Sequence, residues 1–274
     1  MIYADLHIHS NYSDGTQSLD RVFAIAKEKG IQVAAITDHD TLFHYDDVRR
    51  AARANGIKTI RGVEMSCYDF DAGKKVHIVA LNPGENPVHV EKLCGEVLEA
   101  RDACHRKLIG QLREKGFDIT YEDAKAFSPY NIVFKMHIFM ALVKKYPEML
   151  DLKKYRAMFA SQTSPEVDRQ MHYIDVKQGI QAALEDGGIP ILAHPCEYGN
   201  YEEIPKYVSW GLRGIEVSHP SMGVGDYAQT HRLAREMRLL QSGGSDFHDP
   251  HMMTLGKFGL TQAEFEELAQ CMNL

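Results

Sequence analysis

The stretch YADLHIHSNYSDG, residues 3–15, decides how the rest of the chain is read. Residues two apart on a strand leave the same face. Asp5, His7 and His9 therefore project together from one short, otherwise apolar segment, and Asp14 follows within a loop's length. Two imidazoles on one strand face, with a carboxylate close behind, form the donor pattern of a bound divalent ion.

Working outward, short apolar runs recur as IYADLHI (2–8), VAAIT (33–37), TIRGVEM (59–65), VHIVAL (76–81), IPILAH (189–194), GIEVS (214–218) and LLQSGG (239–244). Amphipathic segments stand between them at 18–30, 44–56, 175–188, 201–211 and 225–237, with Ser18 as an N-cap and Gly30 and Gly56 as stops. About seven strands alternating with helices predict an α/β chain built as a sheet or barrel wrapped by helices. The rhythm breaks between residues 86 and 170, where helical patterns at 88–116, 121–127 and 132–146 precede a polar stretch and no strand pattern occurs. This predicts a barrel formed by 1–85 and 171–274, with 86–170 inserted in one of its loops as a helical subdomain and substrate cap.

Each candidate strand delivers chemistry. The first gives His7, His9 and Asp14; the second Asp38, His39 and Asp40; the third Glu64; the fourth His77. The fifth brings His194, the sixth Glu216 and His219, and the seventh Asp246 and His248. Barrel active sites form at the C-terminal ends of the strands, where such residues meet. Imidazole and carboxylate donors together suit zinc, manganese or iron, and nothing thiolate-rich favours softer metals. Without cations, this many inward acids and imidazoles leave buried charge uncompensated. His44, His89, His105, His172, His231 and His251 have no such company and are read as ordinary core or surface residues.

The bulk of the chain narrows the function. A formal charge of −7 gives no broad basic face for long duplex nucleic acid. Five cysteines (Cys67, Cys94, Cys104, Cys196 and Cys271), without a CxxC pair, exclude a disulfide framework or zinc knuckle and fit a reducing cytosol. There is no signal-like N-terminus and no apolar run of membrane-spanning length, so the protein is expected in the cytoplasm and away from membranes.

Taken together, DLHIHSNYSDG, AITDHDT, GVEMS, LAHP and GGSDFH resemble, in order, the motifs of the polymerase and histidinol phosphatase (PHP) domain family, in particular its stand-alone phosphoesterases. The resemblance implies a distorted (β/α)7 barrel binding two to three divalent ions. His7, His9, Glu64 and Asp246 would hold one ion, Glu64 would bridge to a second held by His77 and His194, and Asp14, His39 and His248 would hold the third. It further implies hydrolysis of phosphate monoesters of a small molecule, such as a nucleotide or nucleoside bisphosphate, by metal-activated hydroxide. The alternatives are a 5′→3′ exonuclease on short RNA ends, a non-catalytic metal-binding PHP module, and a metal-dependent C–N hydrolase.

Asp40 and His219 are the candidates for general acid or for supporting the site from behind the ligands, although His219 stands where the family commonly has an aromatic residue. Asp38 is read as orienting an imidazole. Asp5 is read either as supporting the site from behind the ligands or as a buried acid bonded to backbone. IVFKMHIFMAL (132–142) resembles a family segment near GRPHIARAL, with Lys135 and Met136 in place of Arg and Pro. Lys135 and His137 are the first candidates for contacting substrate phosphate, and Arg101 and Arg106 are alternatives. Cys196 and Glu197 receive no role.

Overall fold

The computed structural model describes residues 1–159 and 171–272. One sheet runs through it: β1 (Ala4–Ile8), β2 (Val33–Ile36), β3 (Lys58–Asp69), β4 (Lys74–Leu81), β6 (Ile189–Leu192), β7 (Gly214–Ser218) and β8 (Leu240–Gly243) follow one another in that order. The two-residue β5 (Ile174–Asp175) pairs with the far end of β3. The seven strands of this path match the seven apolar runs of the sequence, whereas β5 is too short to show a period.

Most neighbours are parallel, but β4 runs antiparallel to both β3 and β6. The cause is local. Only residues 70–73 separate β3 from β4, and a connection that short joins antiparallel strands, while a parallel pair needs a crossover. The beginning of β4 therefore lies at the rim where the parallel strands end. His77 reaches that rim because it stands early in β4, whereas most of the other candidate residues stand at or beyond the C-terminal ends of their strands.

The ring is closed between β1 and the segment after β8. The Asp246 amide donates to the His7 carbonyl at 2.8 Å, the His9 amide donates to the Phe247 carbonyl at 2.9 Å, and Ile8 bridges Phe247. Gly244 makes the closure possible, since a Cβ there would stand 2.3 Å from the Cβ of His7.

Helices cover the ring. Ser18 caps α1 (Leu19–Glu28) by accepting from the Arg21 amide, and α2 (Tyr45–Asn55) ends at Gly56 in the left-handed region. Asp175 caps α7 (Val176–Glu185). The segment 201–211 divides into a 3-10 turn and the short α9 (Ile204–Ser209), and α10 (Val224–Met237) follows β7. A last helix, α11 (Gln262–Cys271), opens with a capping box of Thr261 and Glu264. It is absent from the sequence reading, since its main anchors are only the buried Phe265 and Leu268.

Between β4 and β5 come α3 (Val88–Glu114), α4 (Tyr121–Lys125), α5 (Lys135–Lys145) and α6 (Leu152–Phe159). The first half of α3 packs Val90, Cys94 and Val97 into the apolar cluster of β3, β4 and α7. Its second half joins Cys104, Leu108 and Leu112 to Val133, Ile138 and Phe139 in a separate core. Residues 160–170 of the expected insertion and 273–274 of the expected barrel lie outside the described residues. Among those described, no helix is long and apolar enough to cross a membrane.

Replacing Gly244 by Ala forces β8 away from β1, and we expect a loss of about 1–3 kcal/mol in chemical denaturation. Gly225→Ala, in α10 where an added Cβ meets nothing within 4 Å, serves as the comparison and is expected to be neutral or stabilising. Equal stability of the two variants would remove the closure argument.

Candidate metal centre

Glu64 sits at the centre. It is carried by β3, and its backbone is also held by the segment after β2: its amide donates to the Thr37 carbonyl at 3.1 Å and its carbonyl accepts from the Asp40 amide at 3.0 Å. The side chain is buried. One carboxylate oxygen lies 2.7 Å from His77 Nδ1 and 2.8 Å from His194 Nε2. The other lies 3.2 Å from each of His7 Nε2, His9 Nε2 and His39 Nδ1.

Two further carboxylates flank it. Asp246 Oδ1 stands 3.5 Å from His7 Nε2 and 3.2 Å from His9 Nε2, and its Oδ2 stands 3.3 Å from His219 Nε2. Asp14 Oδ1 stands 3.3 Å from His248 Nε2 and 3.5 Å from His9 Nδ1, and its Oδ2 stands 3.7 Å from His39 Nε2. All nine residues read from the sequence as ligands thus come together.

Their spacing suits a shared cation. The Nε2 atoms of His7 and His9 face each other at 3.1 Å, and with Glu64 and Asp246 they form one group of donors within 4.8 Å of one another. Bond lengths of 2.0–2.1 Å give a tetrahedral site a donor-to-donor edge of roughly 3.3 Å. His39 Nδ1 and His219 Nε2 are buried without a hydrogen bond, although each lies close to a carboxylate oxygen. Each belongs to a group of nitrogen and oxygen donors within 4.8 Å of one another, His39 with Glu64 and His77, and His219 with Glu197 and Asp246, a spacing that suits a bound ion.

The field is that of a cation trap. Burial pushes the Glu64 carboxyl up, but the surrounding imidazoles hold it well below the usual range. Burial lowers His7, yet Glu216 and Glu64 draw it well above the ordinary histidine value. His248 is likewise depressed by burial and raised overall, to about 10, chiefly by Asp14. In contrast burial dominates at His39, which falls to about 4.

Buried partners orient these groups. Glu216, on β7, accepts from His7 Nδ1 at 2.6 Å and from the His194 amide at 2.7 Å, leaving His7 Nε2 aimed into the cluster. The sequence reading notes Glu216 as a strand-end acid without giving it this task. Its signal is the alternation of GIEVS, which turns Glu216 inward. Asp5 accepts from the amides of Ser245, at 2.9 Å, and His7, at 3.4 Å, so it fastens backbone at the β1–β8 closure. Asp38 does orient an imidazole, that of His44 at 2.9 Å, and also accepts from Ser10 and Ser13. Glu197 also comes close, 3.6 Å from His194 Nδ1. Asp40, His194 and Asp246 all hold positive φ, at 55°, 25° and 45°; strain of this kind concentrates at functional sites.

A cleft of about 180 Å³ opens over the cluster, with Asp14, His39 and His77 on one side and Arg101, Lys135 and Tyr198 among its other walls. Arg101 leaves α3 to donate to Asp40 at 2.7 Å and to Ser66 Oγ at 3.0 Å, with its guanidinium 4.7 Å from the centre of the Phe134 ring. Of the two readings of Asp40, this arrangement fits the supporting one and not the general acid. Fully buried, Asp40 accepts from Arg101, the Ser66 amide and the Ser66 hydroxyl, so its carboxyl group is turned toward these donors and positions Arg101.

Two substrate assignments are also corrected. His137 is turned away from the cleft: its Nδ1 accepts from the Phe134 amide at 3.1 Å, and its Nε2 donates to the Asn11 carbonyl at 3.1 Å, tying α5 to the loop after β1. Arg106 lies outside on the surface, paired with Asp102 at 2.8 Å over the Tyr121 ring. Lys135 does line the cleft, and its ammonium donates to the Phe159 carbonyl at 3.2 Å. His219 stays inside the cluster.

Comparison with known proteins agrees with this geometry. The family model of the PHP domain matches residues 5–185. The chain belongs to the PHP-domain family. A phosphoribosyl 1,2-cyclic phosphate 1,2-diphosphodiesterase of Eggerthella lenta is 35% identical over 93% of this chain and 95% of its own. A 5′-3′ exoribonuclease of Haemophilus influenzae is 30% identical over 90% of each chain. A solved structure from Bifidobacterium adolescentis, described as a candidate metal-dependent phosphoesterase, shares the fold, with a TM-score of 0.83 over 98% of this chain and 96% of that one at 23% identity. This PHP-domain protein is a phosphoesterase.

The latch between helices and barrel carries a pH dependence. Burial, reinforced at His105 by Arg101, lowers His105 to about 3, and burial lowers His137 to about 4, from an ordinary 6.5. Folded-state values below the unfolded ones mean that the unfolded chain takes up protons first, so this stability is present above pH 6.5 and is lost as pH falls toward 4. His137→Gln should reduce the drop in melting temperature between pH 7 and pH 5. An unchanged drop would dismiss the latch as its source.

Proposed function

We propose that this metal-dependent phosphoesterase removes phosphate from a small phosphorylated molecule such as a nucleotide or nucleoside bisphosphate. The observation that carries the reading is the convergence of six imidazoles on the carboxylates of Glu64, Asp246 and Asp14 beneath a cleft walled by Arg101. His7, His9, Glu64 and Asp246 would hold one divalent ion and Glu64, His77 and His194 a second, while Asp14, His39 and His248 would hold a third where two to three ions bind, the ions being manganese, zinc or iron. Such ions supply Lewis acidity, lowering the pKa of water toward neutrality and offsetting charge on phosphoryl and leaving oxygens.

The chain's own groups do the rest. Arg101, fixed by Asp40, presents its guanidinium to the phosphoryl oxygens, and Lys135 adds a second cation from α5. His219 accepts from the Ser221 amide at Nδ1, 3.2 Å away, so Nε2, beside Asp246, is the ring nitrogen placed to carry a proton to a leaving oxygen. Residues 86–170 act as the substrate cap of a barrel built from 1–85 and 171–274, since Arg101 and Lys135 reach the cleft from these helices. The small cleft and a net charge of −7 favour a compact substrate or a short RNA end over long nucleic acid. The five cysteines are free, which suits work in the reducing cytoplasm.

Phosphate release should be followed with Mn²⁺ for nucleotides, nucleoside bisphosphates, phosphoribosyl cyclic phosphate and short 5′-phosphorylated RNAs. We expect release from the small molecules, its loss on chelation, and a decrease on the order of 10³-fold in His9→Ala or Asp246→Ala, about 4 kcal/mol of barrier. No release from any small phosphate ester by protein containing metal would overturn the reading.

Glu216→Gln keeps the shape but loses the charge behind His7. Metal affinity, read by titration, should fall by roughly 10- to 100-fold. Unchanged affinity would show that Glu216 serves packing alone.

A further inference from the structure

The cleft holds a cation that the proposed chemistry does not use. Lys75 stands two residues before His77 on β4, so the two side chains leave the same face, about 7 Å apart along the strand. Both line the cleft. The strand is held firmly here, with Asn200 donating to the Lys75 carbonyl at 3.1 Å and Tyr68 of β3 as the paired residue.

The adjacent Lys74 points to the opposite face and is engaged by Glu203 at 2.7 Å. Arg101, across the cleft, is engaged by Asp40. Lys75, by contrast, has no carboxylate within 4 Å among the described residues. Its ammonium lies 5.6 Å from the centre of the Tyr173 ring, which also borders the cleft. A half-buried ammonium in a cleft, steadied by an aromatic ring and with no carboxylate within 4 Å among the described residues, is set for an anion from outside the chain.

We propose that Lys75 binds a second anionic group of the substrate, a phosphate or carboxylate lying beyond the scissile phosphate, and that Tyr173 holds the ammonium in place for it. This residue sets specificity: it selects doubly charged small molecules over simple monoesters. The inference rests on the phosphate-ester reading of the site, with the scissile group over the metal cluster and Lys75 up the strand from His77.

The test uses two hydrolysis-proof probes, butane-1,4-bisphosphonate and butylphosphonate, titrated by calorimetry into the full-length protein with Mn²⁺. The native protein should bind the bisphosphonate about 10- to 100-fold more tightly, the worth of one charge-assisted contact. Lys75→Met should bring the two affinities within about threefold of each other without weakening the monophosphonate, and Lys75→Arg should restore the preference. A native protein that does not prefer the bisphosphonate, or a Lys75→Met variant that keeps the preference while melting at the native temperature, overturns the proposal. Because the probes need no turnover, a preference that depends on Lys75 without release of phosphate from any ester would sustain this site and reject the hydrolytic reading.

Discussion

A buried carboxylate touched by five imidazoles is the constraint around which the rest of this protein is arranged. Glu64 has no water to solvate it, so its charge is balanced by the rings of His7, His9, His39, His77 and His194, which arrive from four strands and the loops after them. An isolated ion at that depth is strongly unfavourable. A cluster of acids and imidazoles in that position is tolerable once cations enter it, so the same residues that strain the apo fold create its affinity for metal.

Three features of the scaffold bring the donors together. The four-residue connection between β3 and β4 reverses β4 and thereby turns His77 toward Glu64. Gly244 allows β8 to press against β1, so that Asp246 and His7 share a backbone hydrogen bond as well as a site. Glu216, on β7, then fixes His7 and the backbone of His194 at once, which couples β1 and the end of β6 through one side chain. The helices between β4 and β5 add what the barrel lacks: α3 carries Arg101 to Asp40, and α5 carries Lys135 to the cleft. His137 contributes by attachment, as its ring bonds backbone on both sides.

Much of this was legible in the sequence, for identifiable reasons. The HxH spacing of His7 and His9 reports a shared strand face, and the acids and imidazoles after each apolar run report a rim, because periods of two and strand ends are properties of local sequence. Helices α1 and α2 announce themselves by their caps and glycine stops. The two-residue β5 and the weakly amphipathic α11 do not, since so few anchors establish no period. Arg106 and His137 were misread because helix position alone does not say whether a side chain faces a cleft, a neighbouring backbone or solvent. The two readings of Asp40 stayed open for a related reason: an acid beside a clustered histidine has the same sequence appearance whether it gives up a proton or clamps an arginine.

The sequence by itself determined the class of fold, the acids and imidazoles that gather around Glu64 and the family, all of which follow from residue type and spacing along short segments. Only the tertiary structure decided the direction of β4, the task of Glu216, the pairing of Asp40 with Arg101 and the open position of Lys75. Those depend on contacts between residues far apart in the chain, such as Glu216 with His7 and Arg101 with Asp40. Such contacts are set by packing and by how buried charge is balanced, and no local pattern records them.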